Sequence, residues 1–572
     1  MRNPGRLLGA GVLSTVLLIG GTAPTFAYVQ KEKLTASATV AATPEVIAKI
    51  DKILSEVYPA NTPGAAVLIS KDGKVLFRKG YGLADVEKKV PVQPDMIFRL
   101  GSITKQFTAA GILLLVEQGK ISLDDEITKF LPEYPTRGKK ITIEHLLTHT
   151  SGIKSYTGMG GFRAKMQQDT TPIELVDFFK NEPMDFDPGT EWRYNNSGYV
   201  LLGVIIEKVS GKSYGQYVHD HIFKPLGMKH SFYGTEEASV PNRALGHSGG
   251  GKEFTYSAPM SMTLPYAAGA LLSNVDDLAI WNRAMASGKL LKPATWKRAF
   301  TPYVLSNEKP TTYGYGLELE QLHGEEVIQH GGGINGFVTM AYWLPKQNIF
   351  IAILTNSDSA EVDPSFVTRK VAAHLIGKPY KEYTAITLDA KKLDEFVGVY
   401  QISNSATRTI TRQGNQLYAQ RTGGQKMEIS PASDNEVFYK NSFTVLKFVR
   451  DEAGKIVKMI KIDEKGEEPA VKTDQPVPKE REVAKVDPAI YDAYVGEYEL
   501  APGFVLTVTR DGGKLLTQAT GQQQLEIFPE SETKFFLKVV DAQLTFVKDA
   551  DGKVNQVILH QGGRNMPAKR IK

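Results

Sequence analysis

The chain reads Arg99-Leu100-Gly101-Ser102-Ile103-Thr104-Lys105 immediately before the apolar, helical stretch Phe107–Val116. A serine and a lysine three residues apart on a helix share one face, so the Lys105 amine can reach the Ser102 hydroxyl. That arrangement would make Ser102 a nucleophile and Lys105 its base. The pattern Ser-x-x-Lys is weak alone, because it also begins at three other serines, Ser151, Ser306 and Ser531. Only at Ser102 does it open a helical stretch.

Two later segments add to this site. Tyr194-Asn195-Asn196 precedes a helical stretch from Gly198 and begins 92 residues after Ser102. His330-Gly331-Gly332 ends an apolar strand and begins 136 residues after Tyr194. Each motif also recurs singly elsewhere in the chain, so none decides the matter alone. Their order, with each in suitable local structure, predicts one site assembled from three distant segments.

Taken together, these motifs resemble the serine β-lactamase and penicillin-recognising superfamily, in its class C β-lactamase, D-aminopeptidase and esterase branch. The resemblance spans residues 44–378 and includes Pro63–Ala66, Leu146–Ile153 and His221–Met228. It implies that Ser102 is the acylated nucleophile, Lys105 its partner and Tyr194 the proton shuttle. Asn196 would orient the substrate amide, and the backbone N–H groups of Ser102 and Gly333 would form the oxyanion hole.

The third segment departs from the β-lactamase pattern, in which a Lys-Thr/Ser-Gly strand helps to hold a substrate carboxylate. Here His330 stands in place of the lysine, and an imidazole of ordinary pKa, about 6.5, is mostly neutral at pH 7. This favours peptidase or esterase activity over penicillin hydrolysis. Gly332 and Gly333 would let a substrate pair closely with the strand edge, so these two and His330 are predicted to bind substrate. Whether Lys105 or Tyr194 is the acylation base stays open.

Length and composition bound the remaining possibilities. The 572 residues predict roughly three to five domains, at about 100–200 residues each. Hydrophobic residues make up 42% and charged residues 23%, an ordinary globular balance. The net charge is only +5 and the charges are interspersed, which argues against nucleic-acid binding. With no cysteine, disulfides, thiolate nucleophiles and Cys-ligated metals are excluded.

An internal repeat at a constant offset of 98 residues occupies the C-terminal part. Leu393–Tyr400 matches Tyr491–Tyr498, and the register continues without a gap to Leu446–Val449 and Leu544–Val547. Each copy has the size of a small antiparallel barrel. We therefore expect an α+β chain: a β-lactamase-like domain with an antiparallel sheet flanked by helices, followed by two small antiparallel β-barrels. The expected boundaries are 44–378 for the first domain, 388–466 and 489–572 for two lipocalin-like barrels, and 467–488 for a linker.

The N-terminus has the form of a secretory signal. A basic start with Arg2 and Arg6 precedes an apolar run too short to span a bilayer comfortably, and Ala27 ends a small-residue cleavage site. Residues 1–27 are thus predicted to be removed, leaving a secreted protein without a retained membrane span.

These features together predict an exported serine hydrolase that needs no metal or cofactor. Its expected substrate is a small peptide, amide or ester, including cell-wall peptide, and a D-stereospecific peptidase is favoured. A carboxylic esterase or β-lactamase of the same chemistry is the nearest alternative. A weakly catalytic penicillin-binding wall protein is the alternative from another class.

Overall fold

A computed structural model describes residues 43–572, except 251–252, 479–480, 502–503, 521, 523 and 563. The predicted signal segment, 1–27, lies outside the described residues. Within the described ranges, none of the helices combines the length and the apolar character needed to cross a bilayer.

The first helix forms where the sequence supplies a cap and an apolar stripe. Thr43 accepts a hydrogen bond from Val46 N at 3.3 Å and Pro44 occupies the first turn, so α1 runs from Pro44 to Val57. Ile50 and Leu54, one turn apart, are fully buried against the central sheet. The helix therefore covers one face of the sheet.

The sheet is antiparallel throughout and has the order β3-β4-β5-β6-β1-β2. Its strands are β1 (Ala65–Lys71), β2 (Lys74–Tyr81), β3 (Glu318–Leu322), β4 (Glu325–Ile334), β5 (Phe337–Leu344) and β6 (Ile349–Thr355). Asp72 and Gly73 have φ values of 50° and 75°, which makes the tight hairpin predicted between β1 and β2. Every residue of β6 is buried, because helices cover both faces of the sheet.

The helices divide between these two faces. α1 and α12 pack on one face, and the other helical elements of the domain form the larger core on the other. The helices after α1 are α2 (Thr104–Glu117), α3 (Ile143–Leu147), α4 (Phe162–Lys165), α5 (Pro172–Phe179), α6 (Asn196–Ser210), α7 (Tyr214–Val218), α8 (Lys224–Leu226), α9 (Tyr266–Gly269), α10 (Val275–Ser287), α11 (Pro293–Ala299), α12 (Pro364–Leu375) and α13 (Ala390–Phe396). Short strands outside the sheet are Leu83–Asp85, Val90–Pro91, Phe98–Arg99, Phe232–Tyr233, His247–Gly250, Glu253–Tyr256 and Leu271–Ser273.

The repeated modules are two closed antiparallel barrels of eight strands, which confirms the predicted fold class. Barrel 1 consists of β7 (Gly398–Ser403), β8 (Ala406–Gln413), β9 (Gln416–Arg421), β10 (Lys426–Ser433), β11 (Glu436–Tyr439), β12 (Val445–Arg450), β13 (Ile456–Asp463) and β14 (Gly466–Lys472). Barrel 2 consists of β15 (Gly496–Ala501), β16 (Phe504–Asp511), β17 (Lys514–Ala519), β18 (Leu525–Pro529), β19 (Lys534–Phe536), β20 (Ala542–Lys548), β21 (Val554–Gln561) and β22 (Arg564–Arg570).

The predicted linker at 467–488 needs a correction. β14 pairs with β13 along its whole length and with β7, so it is the strand that closes barrel 1. The first barrel therefore extends to Lys472 rather than ending at residue 466.

Barrel 1 docks beside α12 on the domain that contains the central sheet. Arg369 of α12 forms ion pairs with Glu320 of the sheet and with Glu464 of the β13–β14 turn. Nearby, the rings of Tyr380 and Phe443 stack with their centroids 3.6 Å apart. Charged and aromatic contacts thus join the barrel to the domain that carries the candidate site.

Candidate active site

Ser102 and Lys105 meet at the start of α2. Ser102 lies in a 3-10 turn, Gly101–Ile103, and the α-helix begins only at Thr104. The predicted proximity nevertheless holds, because Lys105 Nζ is 3.0 Å from Ser102 Oγ. Nζ also donates hydrogen bonds to Asn196 Oδ1 and to the backbone carbonyl of Ala268, each at 2.8 Å.

The surroundings of Lys105 favour its neutral form. The side chain is fully buried, and its three polar contacts are neutral oxygens rather than carboxylates. Burial lowers the pKa of Lys105 well below its ordinary value. A neutral amine has two N–H donors and one lone pair. If Asn196 and Ala268 accept the two N–H bonds, the lone pair is directed toward the hydroxyl proton of Ser102.

Tyr194 lies against the same amine. Its ring centroid is 4.8 Å from Lys105 Nζ, and its hydroxyl is buried without a hydrogen-bond partner among the described residues. Burial raises the pKa of Tyr194 above its ordinary range, and the neighbouring Ser102 hydroxyl offsets only part of that rise. The phenol is therefore protonated at neutral pH and available to donate a proton.

Asn196 is the first residue of α6, and its position is fixed by the helix cap. The side chain of Asn195 accepts from Gly198 N at 2.8 Å, as an N-cap residue does. Both ends of the Asn196 amide are engaged, since Oδ1 accepts from Lys105 and Nδ2 donates to Thr157 Oγ1 at 3.1 Å. In this arrangement Asn196 holds the Lys105 amine in place, a contact that its predicted role with substrate did not include.

His330 does not end its strand, as the sequence suggested, because β4 continues to Ile334. The imidazole is 2% exposed, and its ring centroid is 6.1 Å from that of Tyr194. Nδ1 is 2.6 Å from the Gly331 carbonyl and must carry the proton, so Nε2 accepts from the Tyr313 hydroxyl at 2.8 Å. Burial is the main cause that lowers the pKa of His330, to about 3. The side chain is thus a neutral group and not a cation for a carboxylate.

The glycines of β4 bring this strand against the Ser102 turn. A Cβ atom on Gly332 would lie 1.9 Å from the Leu100 carbonyl oxygen, whereas one on Gly333 would meet nothing within 4 Å. Thr339 on the adjacent strand donates to the same Leu100 carbonyl at 2.8 Å. Gly101 has a φ of 55°, and a Cβ atom at this position would lie 2.9 Å from Gly333 N. The backbone of Gly333 therefore stands next to the turn that carries Ser102.

Three groups in the site were missed from the sequence. They are the Ala268 carbonyl, the Thr157 hydroxyl and the Tyr313 hydroxyl. A backbone carbonyl has no sequence signature at all. Tyr313 stands in the glycine-rich run Tyr313-Gly314-Tyr315-Gly316, the one feature that could have drawn attention to it.

Comparison with known protein families covers most of the chain. The family model described as "Beta-lactamase" matches residues 50–375, and a domain of unknown function, DUF3471, matches residues 480–569. The first match contains all the candidate site residues, and the second covers most of barrel 2.

Individual relatives agree with these matches. Penicillin-binding protein 4* of Bacillus subtilis is 29% identical over 71% of this chain and 94% of its own length. D-aminopeptidase of Gluconobacter oxydans is 28% identical over 56% of this chain and 60% of its own length.

Solved structures show the same relationship. The octameric penicillin-binding protein homologue from Pyrococcus abyssi has 30% identity and a TM-score of 0.55, covering 74% of this chain and 99% of its own. D-amino acid amidase from Ochrobactrum anthropi SV3, complexed with L-phenylalanine amide, has 25% identity and a TM-score of 0.51. The match covers 58% of this chain and 98% of the amidase chain. With the family model matching more than half of its residues, the chain belongs to the β-lactamase family.

Proposed function

We propose that this protein is an exported serine hydrolase that forms an acyl-enzyme at Ser102 and cleaves small peptides or amides of D-amino acids. The single observation that carries the hydrolase assignment is the buried, uncompensated Lys105 amine 3.0 Å from the Ser102 hydroxyl. A neutral amine at that distance is a general base in contact with its nucleophile.

The proposed acylation uses the groups in contact. Lys105 Nζ takes the proton from Ser102 Oγ as Oγ bonds to the substrate carbonyl carbon. The carbonyl oxygen becomes an oxyanion, which the backbone N–H groups of Ser102 and Gly333 would stabilise, each worth about 3–4 kcal/mol. When the carbon–nitrogen bond breaks, Tyr194 donates its proton to the leaving amine and regains one from the Lys105 ammonium beside it. Water then attacks the acyl carbon and gives a proton to Lys105. The carbon–Oγ bond breaks, Ser102 Oγ takes that proton back, and the carboxylic acid leaves.

Two observations support a D-amino-acid substrate. The relatives include proteins named D-aminopeptidase and D-amino acid amidase. In addition, the neutral, buried His330 supplies no fixed cation for the carboxylate of a penicillin. A substrate whose scissile bond is not flanked by a carboxylate therefore fits this strand better.

A panel of substrates tests the proposal. Paired D- and L-amino-acid p-nitroanilides, p-nitrophenyl esters and a chromogenic cephalosporin would be compared by kcat/KM. We expect many turnovers per protein molecule and the highest kcat/KM for the D-amides. Ser102→Ala should lower this activity by about 10⁴-fold or more. Ser306→Ala, an exposed serine in another Ser-x-x-Lys pattern, is the matched control and should change nothing. Full activity in Ser102→Ala would refute the site.

A penicillin-binding protein of slow turnover is the second candidate, because one relative with 94% of its length aligned carries that name. Such a protein would give one stoichiometric β-lactam adduct on Ser102 and no sustained turnover. Intact-protein mass spectrometry after incubation with a penicillin separates this outcome from turnover.

Export is proposed from the N-terminal sequence alone. Fractionation of a producing bacterial cell should recover the mature chain outside the cytoplasm, with an N-terminus at Tyr28. Recovery of a chain that still begins at Met1 from the cytoplasm would contradict it.

A further inference from the structure

Barrels 1 and 2 are copies of one module, so each position in barrel 1 has a counterpart 98 residues later. At one end of both barrels, here called the closed end, the inward residues keep their character. The pairs are Tyr400 with Tyr498, Phe448 with Phe546 and Lys472 with Arg570. In each barrel the cation lies over the tyrosine ring, at 5.6 Å in barrel 1 and 6.0 Å in barrel 2. This end is therefore a shared structural feature.

The inward positions toward the β7–β8, β9–β10, β11–β12 and β13–β14 turns, here called the open end, differ completely between the copies. Barrel 1 carries five polar side chains there, Arg408, Arg421, Tyr439, Lys461 and Glu468, whose counterparts in barrel 2 are Leu506, Ala519, Leu537, Leu559 and Met566. The registers are equivalent, since Arg408 faces Arg421 as Leu506 faces Ala519, and Lys461 faces Glu468 as Leu559 faces Met566. One copy has a charged interior at this end and the other an apolar one.

Arg408 is the most unusual of these residues. It stands two positions before the fully buried Ile410 on β8 and shares its inward direction, and it is only 4% exposed. Nη2 lies 3.1 Å from Glu468 Oε1, but neither Nη1 nor this carboxylate oxygen has a hydrogen-bond partner among the described residues. A buried donor on a charged group is destabilising when it has no acceptor. Barrel 2 shows that the module folds with leucine at this position, so folding alone does not require the arginine.

Docking of barrel 1 does not explain the charges either. The contacts with the catalytic domain use other side chains at this end, Glu464, Phe443 and Lys440. The open-end cations pair within the barrel instead: Arg408 and Arg421 with Glu468, and Lys461 with Asp463. Two arginines share one carboxylate there, which leaves guanidinium donors in excess.

We propose that the open end of barrel 1 is a binding site for a small anionic ligand that presents a carboxylate or phosphate group to Arg408. The planar guanidinium fork matches both groups, and its unpaired Nη1 is the donor that the ligand would satisfy. Barrel 2, whose open end is apolar, lacks this site. The proposal stands on the barrel alone and does not depend on the hydrolase activity.

Calorimetric titration of the full chain tests this site with three probes: N-acetyl-L-alanyl-L-alanine, its C-terminal amide, and inorganic phosphate. We expect saturable binding of the free-acid peptide or of phosphate, weakened at least tenfold by Arg408→Leu. Binding of the acid but not of its amide assigns a carboxylate, and binding of phosphate alone assigns a phosphate group. Lys447→Leu removes an exposed, outward cation of β12 and should leave binding unchanged. Absence of any Arg408-dependent binding overturns the proposal.

Two further variants test whether the Arg408–Glu468 pair serves ligand binding or folding, and whether this binding is independent of the proposed catalytic site. Arg408→Leu combined with Glu468→Met copies barrel 2 and should leave the thermal midpoint unchanged or higher. A large fall in the midpoint would show that the pair serves folding, and would overturn the proposal. Ser102→Ala should retain the Arg408-dependent binding in full, so loss of hydrolysis and loss of this site are distinguishable.

Discussion

Lys105 is the residue on which the proposed acylation depends, because burial without a counter-ion leaves a lysine neutral and able to accept a proton at ordinary pH. Its amine touches only the Ser102 hydroxyl and two carbonyl oxygens. A lysine has few ways to be satisfied in such a place except by losing its proton. The geometry therefore favours Lys105 over Tyr194 as the acylation base, the choice that the sequence left open.

Replacing the Lys105 amine should reveal its titration in the pH dependence of kcat/KM. Since the pKa of Lys105 is lowered and the neutral form is active, kcat/KM should rise as pH increases through that lowered pKa. Lys105→Met should reduce kcat/KM by about 10²–10⁴-fold and abolish that rising limb. Lys129→Met, in an exposed ion pair, is the control. A rising limb that persists in Lys105→Met would assign the base elsewhere, with Tyr194 the next candidate.

His330 makes a second prediction, about stability. Its folded-state pKa of about 3 lies below the value of about 6.5 expected for an unfolded histidine. Unfolding therefore takes up a proton between these values, so the imidazole's contribution is complete above pH 6.5 and is lost as pH falls toward 3. The free energy of unfolding, measured with denaturant, should fall less between pH 7 and pH 4.5 in His330→Gln than in the wild type. An equal fall in the free energy of unfolding of both proteins would mean that the imidazole is not held neutral. His219→Gln changes a histidine at an exposed site and is the control.

At the scale of elements, the contact between the Ser102 turn and β4 positions the proposed catalytic groups. Gly332 presses its backbone against Leu100, while Gly333 next to it faces open space. Gly332→Ala should force the turn and the strand apart, reducing both the thermal midpoint and kcat/KM. Gly333→Ala should keep the midpoint and affect only kcat/KM, because its Cβ would meet nothing in the protein. A stable, active Gly332→Ala protein would contradict this packing.

Much at this scale was predictable because it rests on local signals. Asp72-Gly73 marked the hairpin, the apolar run after Ser102 marked α2, and the 98-residue repeat marked two barrels. The predictions that failed share one cause, because they concern residues whose structure depends on pairing with distant parts of the chain. Glu467, Glu468 and Pro469 have the composition of a linker, yet they form β14 because closure of a barrel supplies partners that composition does not reveal. The burial of His330 likewise depends on Tyr313 from another segment.

At the scale of the whole molecule, Arg369 joins barrel 1 to the β-lactamase family domain. Its guanidinium is 14% exposed and lies between Glu320 of the sheet and Glu464 of barrel 1. Removing it would leave two partly covered carboxylates without this cation, at a cost of about 1–3 kcal/mol. By contrast, the Lys440–Glu361 pair at the same interface is 73% exposed on both sides and should contribute little.

Arg369→Leu should therefore loosen the barrel, and Lys440→Gln should not. Trypsin cleavage after Lys381 in the connecting segment measures the loosening, because undocking frees the ion pair that Lys381 makes with Glu436 of barrel 1. We expect faster cleavage in Arg369→Leu, with wild-type rates in Lys440→Gln. Retained Ser102-dependent hydrolysis would show that the catalytic domain is still folded. If both variants are cleaved at the wild-type rate, the Tyr380–Phe443 stack rather than the ion pairs holds the barrel, and Phe443→Ala should then be the variant that releases it.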